Sequence, residues 1–182
     1  MNVIKTDIEG VVVIEPQVFG DERGYFFESF NAERFFAETG IDVAFVQDNE
    51  SRSKRGVLRG LHFQREPYAQ AKLVRVVQGR VIDVAVDIRP GSPTFGKYVA
   101  TELSGENHRQ MFIPKGFAHG YVVLEDDTVF QYKCDEYYHP ESEAGIAWND
   151  PQIGIEWPLS EDEIILSDKD RKHLTLKELC EF

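Results

Sequence analysis

Along much of the chain apolar and polar side chains alternate, the two-residue period of half-buried strands. Residues 74–86 carry the longest such stretch, and Gln78-Gly79 in its middle predicts a tight turn. Residues 11–14, 25–30, 44–47, 57–63, 98–103, 110–113, 120–124 and 128–134 are further strand candidates. Turn signals separate them at Phe19-Gly20-Asp21, Arg89-Pro90-Gly91-Ser92-Pro93, Ser104-Gly105-Glu106-Asn107 and Glu125-Asp126-Asp127. Helix is expected twice, from an Asn31 cap through Phe35, Phe36 and Glu38 to Gly40, and for a turn or two over 174–179. Many short strands with few helices predict a mainly β sandwich, barrel or jelly roll.

Composition adds bounds. A chain of 182 residues, 42% hydrophobic and 29% charged, is expected to form a single globular domain over 1–182. The longest aliphatic run, Val11-Val12-Val13-Ile14, is far short of a membrane span, and the first residues show no basic segment leading into an apolar one. Cys134 and Cys180 are too few for a disulfide scaffold, so an intracellular, cytoplasmic protein is expected. The net charge of −12 argues against nucleic-acid or anionic-membrane partners. Residues 51–80 run against it, with eight cations and one anion. That stretch is either a solvated edge or a cradle for a small anion such as a diphosphate.

Phosphate loops of the G-x-x-x-x-G-K-[ST] and G-x-G-x-x-G kinds are absent, as is a G-x-S-x-G elbow. Metal-binding jelly rolls place two histidines two residues apart on one strand; here Gln64 follows His62 and Tyr121 follows His119, so no metal is expected. His108, His139 and His173 read as structural. His62 differs: strand alternation puts Leu58, Gly60, His62 and Gln64 on one face and Arg59, Leu61 and Phe63 on the other. Gly60 leaves space beside the imidazole, and an imidazole aimed into a barrel is a natural general base.

The blocks at 19–30, Phe45-Val46-Gln47-Asp48-Asn49, Leu58-Arg59-Gly60-Leu61-His62-Phe63-Gln64, 83–89, Ile113-Pro114-Lys115-Gly116-Phe117-Ala118-His119-Gly120 and 165–170 resemble the dTDP-4-dehydrorhamnose 3,5-epimerase family, in order along nearly the whole chain. The resemblance implies a cupin-type jelly roll, a homodimer, and catalysis without metal or organic cofactor. It implies double epimerisation at C3 and C5 of dTDP-4-dehydro-6-deoxy-D-glucose to dTDP-4-dehydro-L-rhamnose, for rhamnose-containing polysaccharide. A C5-only epimerase or a 3,4-ketoisomerase is the enzymatic alternative; a non-catalytic sugar-binding cupin and a metal-dependent oxygenase are the others.

By resemblance, His62 is the base and Asp170 its partner, with Asp168 the competing acid. Lys72 would face the C4 oxygen and hold the enolate charge, and Tyr132 would be the acid on the opposite face. His119 would contact substrate from a loop after Pro114-Lys115-Gly116. Arg59 and Arg23 would clamp the diphosphate. Glu28, Gln47, Asp48 and Asn49 would lie near the thymidine, Tyr138 would be a stacking platform, and Glu143 and Lys169 would add substrate contacts.

Overall fold

The computed structural model describes residues 1–180; the side chain of Cys180, expected to be a reduced thiol, lies outside what is described. In chain order the elements are β1 (Asn2–Lys5), β2 (Val12–Glu15), β3 (Phe19–Asp21), β4 (Gly24–Phe26), α1 (Ala32–Thr39), β5 (Gln47–Ser53), β6 (Leu58–Gln64) and β7 (Lys72–Gln78). They continue with β8 (Arg80–Asp87), β9 (Tyr98–Ser104), β10 (Gln110–Ile113), β11 (Phe117–Val123), β12 (Thr128–Cys134), β13 (Glu143–Gly145) and α2 (Leu176–Cys180).

Two antiparallel sheets face each other, ordered β1-β2-β10-β7-β12-β5 and β13-β6-β11-β8-β9. From β5 to β8 and again from β9 to β13, successive strands alternate between the sheets, so the chain winds around a flattened barrel in the manner of a jelly roll. The tight turn expected at Gln78-Gly79 is present, and it carries the chain from one sheet to the other.

The interior carries Val74, Val76, Met111 and Ile113 from the first sheet against Val81, Ala85, Phe117, Tyr121 and Val123 from the second. Outside the first sheet, α1 sets Phe35 with Phe30 and Phe45 over Ile14, Leu73 and Phe112. As expected, the Asn31 side chain caps α1 by accepting from the Arg34 amide, and Gly40 closes it. Outside the second sheet, Ile146, Ile153 and Leu176 cover Leu61, Val84, Val86 and Ala118. The segment between them, here called the strap, is stitched to the barrel by parallel bridges Val57–Ile165 and Ile146–Leu174.

Three expectations shift. The segment expected as a strand over 25–30 pairs only over Gly24–Phe26, in an exposed hairpin with β3. The strand expected at 44–47 begins at Gln47, and His119 lies within β11 rather than in a loop.

Candidate active site

A slip in the pairing of β6 with β11 decides which way the key side chains point. His62 lies opposite His119 and Arg59 opposite Tyr121, so β6 carries one residue more than its partner. The extra residue is taken up at Gly60, where φ is +133° and an added Cβ would stand 2.6 Å from the Gly120 Cα. The space beside His62 is therefore filled by the backbone of β11. Simple alternation puts Arg59 and His62 on opposite faces; the bulge turns both toward the interior, while Leu58 packs outward on Val122 and Ile164.

His62 Nε2 lies 2.6 Å from Oδ1 of Asp170, which sits at the start of a 3-10 turn (Asp170–Lys172) in the strap and is 4% exposed. Burial alone would raise the Asp170 carboxyl, but the His62 bond, the His62 and His173 rings and Ser167 hold it below the usual carboxylate value. An ionised carboxylate only accepts, so the proton sits on Nε2 and Nδ1 is the basic atom. Asp168 is exposed, and the pairing goes to Asp170.

Across the barrel, Lys72 and Tyr132 share the inner face of the first sheet, the Lys72 Nζ 5.9 Å from the Tyr132 ring centre. Burial pushes the Lys72 ammonium below its ordinary value, with Cys134, Asp83 and Glu143 opposing. Burial pushes the Tyr132 phenol up to about 12. His119 is 6% exposed, and its Nε2 donates to both Asp83 oxygens at 3.0 and 2.9 Å. Burial lowers its tendency to charge despite that carboxylate.

At the mouth, Arg59 donates to Ser53 Oγ through Nε and Nη2. A chain of contacts lines the other side. Gln47 donates to Asn49 and accepts from the Tyr138 amide; the Tyr138 hydroxyl donates to Glu143, which pairs with Lys169. These bonds hold the Glu143 carboxyl low against its burial.

Three expected residues are not brought here. Arg23 is on the exposed β3–β4 hairpin, paired with Asp21. Glu28 binds Arg34 and Asn31 beside α1, in a cavity of about 320 Å³ lined also by Phe19, Phe26 and Phe35. Asp48 points outward to Lys133. The basic stretch divides as well: Arg59 and Lys72 face inward, while Arg52, Arg55 and Arg80 form surface pairs with Asp127, Glu163 and Glu125.

The sequence reading missed Tyr121, whose hydroxyl lies 2.8 Å from Ser51 Oγ, and Asp83. Alternation from His119 pointed to Tyr121, and alternation within β8 to Asp83. It also missed His173, whose ring stands edge-on to His62. Ligand atoms of His62, Asp170 and His173 lie within 4.8 Å of one another, a donor set of the metal-binding type. The 2.6 Å contact, however, leaves no room for an ion between His62 and Asp170.

The family model for dTDP-4-dehydrorhamnose 3,5-epimerase matches residues 5–178. The chain belongs to the dTDP-4-dehydrorhamnose 3,5-epimerase family. It is 59% identical over 179 residues to that epimerase of Escherichia coli (strain K12), covering 98% of this chain and 96% of the relative. A solved epimerase of Legionella pneumophila, in complex with dTDP-4-keto-L-rhamnose, superposes with a TM-score of 0.93 at 56% identity, covering 97% of this chain and 93% of that one. A 3'-monoepimerase of Streptomyces bikiniensis in complex with dTDP-quinovose reaches 0.90 at 36% identity, with 96% and 87% covered. The family's cupin-type fold is the jelly roll described above. Among the described residues no helix is long and apolar enough to cross a membrane.

Proposed function

We propose that this chain, acting as one domain over 1–182, epimerises C3 and C5 of dTDP-4-dehydro-6-deoxy-D-glucose to give dTDP-4-dehydro-L-rhamnose. The 2.6 Å His62–Asp170 pair, facing the same interior as Lys72 and Tyr132, carries this reading. Nδ1 of His62 takes the proton from the carbon beside the C4 ketone, and Asp170 favours the imidazolium so formed. The electron pair moves onto the C4 oxygen, where the Lys72 ammonium meets the developing charge. Tyr132 returns a proton to C5 from the opposite face, inverting the centre; a phenol this basic is neutral and ready to donate. The same base and enolate stabiliser serve C3, where a water on the opposite face returns the proton.

Arg59 holds the diphosphate, an anion that a net acidic protein attracts by concentrating cations at one mouth. Gln47, Asn49, Tyr138, Glu143 and Lys169 line the nucleotide and sugar, and His119, backed by Asp83, borders the sugar. The enzyme works in the cytoplasm without metal or organic cofactor, and its partners are this nucleotide sugar and a second copy of itself. Arg23, Glu28 and Asp48 stand away from His62 in their own protomer. The Arg23 hairpin exposes Phe19, Tyr25 and Phe26 at 56%, 59% and 70%, a surface suited to lying against a second copy and serving its site.

The test is solvent deuterium uptake into dTDP-4-dehydro-6-deoxyglucose in D₂O, read by mass and proton NMR. Deuterium at both C3 and C5 with an L-rhamno product is expected. Deuterium at one carbon only would make the chain a monoepimerase, and binding without exchange would make it a non-catalytic module.

A further inference from the structure

We propose that His173 is a positioning residue for proton transfer: its imidazole is wedged between the strap and Gly145, edge-on to His62, and so fixes His62 against Asp170. The inference rests on His62 being the base.

The His173 ring lies 5.4 Å from the His62 ring at 88°, with Nε2 4.0 Å from Asp170 Oδ1. It rests on Gly145, the residue paired opposite His62 on β13. A Cβ at Gly145 would come within 2.3 to 2.6 Å of three ring atoms, so only glycine admits the imidazole there. The next residue, Leu174, bridges Ile146 and anchors the backbone. From this seat the ring lies close to the Gly60 carbonyl, on the bulge that turns Arg59 and His62 inward.

Nδ1 of His173 is buried and has no hydrogen-bond partner. Protonation there would bury an N–H without an acceptor. It would also set a second cation against the imidazolium that His62 becomes, with Lys169 already near. The groups facing the ring are His62 and Gly60 from β6, Gly145 from β13, and Asp170 and Lys169 from its own segment. Asp170 and the Gly60 carbonyl favour the charged ring, but burial outweighs them and the Asp170 carboxylate is already engaged by His62. The ring therefore stays neutral through turnover, holding geometry without competing for the proton.

His173→Phe keeps an aromatic ring but removes the donor; His173→Gln keeps a donor. Wild type, both variants and His62→Ala are compared for kcat, KM, the pH profile of kcat, melting temperature and the ¹⁵N shifts of labelled His62. A loosened catalytic pair costs on the order of 10–100-fold in rate. His173→Phe is expected to lose that much kcat with KM nearly unchanged. The acidic limb of its pH profile should also shift from the wild-type position, because the carboxylate that pairs with His62 loses a neighbouring ring. His173→Gln should recover part of the loss. Wild-type kcat and wild-type His62 titration in His173→Phe would overturn the inference, as would a lowered melting temperature with full activity per folded molecule. If His62→Ala turns over normally, the base assignment itself falls and this inference with it; if His62→Ala is inactive while His173→Phe is unaffected, only the role of His173 falls.

Discussion

Asp170 Oδ1 accepts a hydrogen bond from His62 Nε2 at 2.6 Å although 108 residues separate them in sequence. Two parallel bridges flank the strap on which Asp170 sits, so the carboxylate is set by backbone pairing rather than by a flexible tail. Asp170→Asn keeps the shape and removes the charge. Its amide can donate to Nε2 and so stabilise the wrong tautomer, with Nδ1 protonated. Turnover is expected to fall by about 10²–10⁴ while dTDP affinity stays within a few fold. Steady-state kinetics with calorimetric dTDP titration checks this, and an unchanged kcat would show that the carboxylate does not set the tautomer.

Tyr132 makes a different prediction because its phenol is pushed up to about 12 by burial. It stays protonated across the working range, so kcat shows no loss from its ionisation below about pH 10. In Tyr132→Phe the base can still remove a proton but the opposite face has no donor. Solvent deuterium should then enter C5 with retention faster than inverted product forms. If inversion and exchange fall together, the phenol is not the acid.

The sequence made the barrel legible because most strands bury apolar residues at every second position. It failed where that signal is absent for a functional reason. In β5 the half-buried positions Gln47, Asn49 and Ser51 alternate with exposed Asp48, Glu50 and Arg52, so the inward face that lines the site is itself polar. Periodicity therefore ended the strand near Gln47, where the observed one begins. The Gly60 bulge was invisible for another reason: a single extra residue changes which side chains share a face without changing residue types. Family resemblance supplied Asp170, but contact across 108 residues decided it over Asp168. His173 had no local signal at all, since its place depends on Gly145 and Gly60.

Asp87 gives a pH test remote from the chemistry. It is fully buried, and burial alone would raise its carboxyl. Hydrogen bonds from Arg89, Ser92 and Thr94 outweigh that and hold it far below the ordinary carboxylate value. A lowered folded pKa means stability that is present above the unfolded value, about 4, and lost as pH falls toward the folded one. Asp87→Asn should destabilise the protein by about 1–3 kcal/mol at pH 7. The gap from the parent should narrow at pH 3. Urea unfolding at both pH values measures it, and an equal gap at the two would remove the charge from the account.

Gly60→Ala tests the bulge itself. The φ of +133° is costly for any side chain, and the new Cβ would meet backbone on β11, the Gly120 Cα at 2.6 Å and the His119 carbonyl oxygen at 2.9 Å. Backbone cannot swing aside as a side chain would. Strain of this kind costs about 1–3 kcal/mol, and relief requires β6 to move away from β11. Arg59 and His62 turn inward only through that bulge, so the movement carries both. Melting temperature should drop, and the folded enzyme should lose turnover and diphosphate affinity together. Loss of stability alone, with wild-type kinetics in the folded fraction, would mean that the bulge serves packing and that Arg59 and His62 are oriented by other contacts.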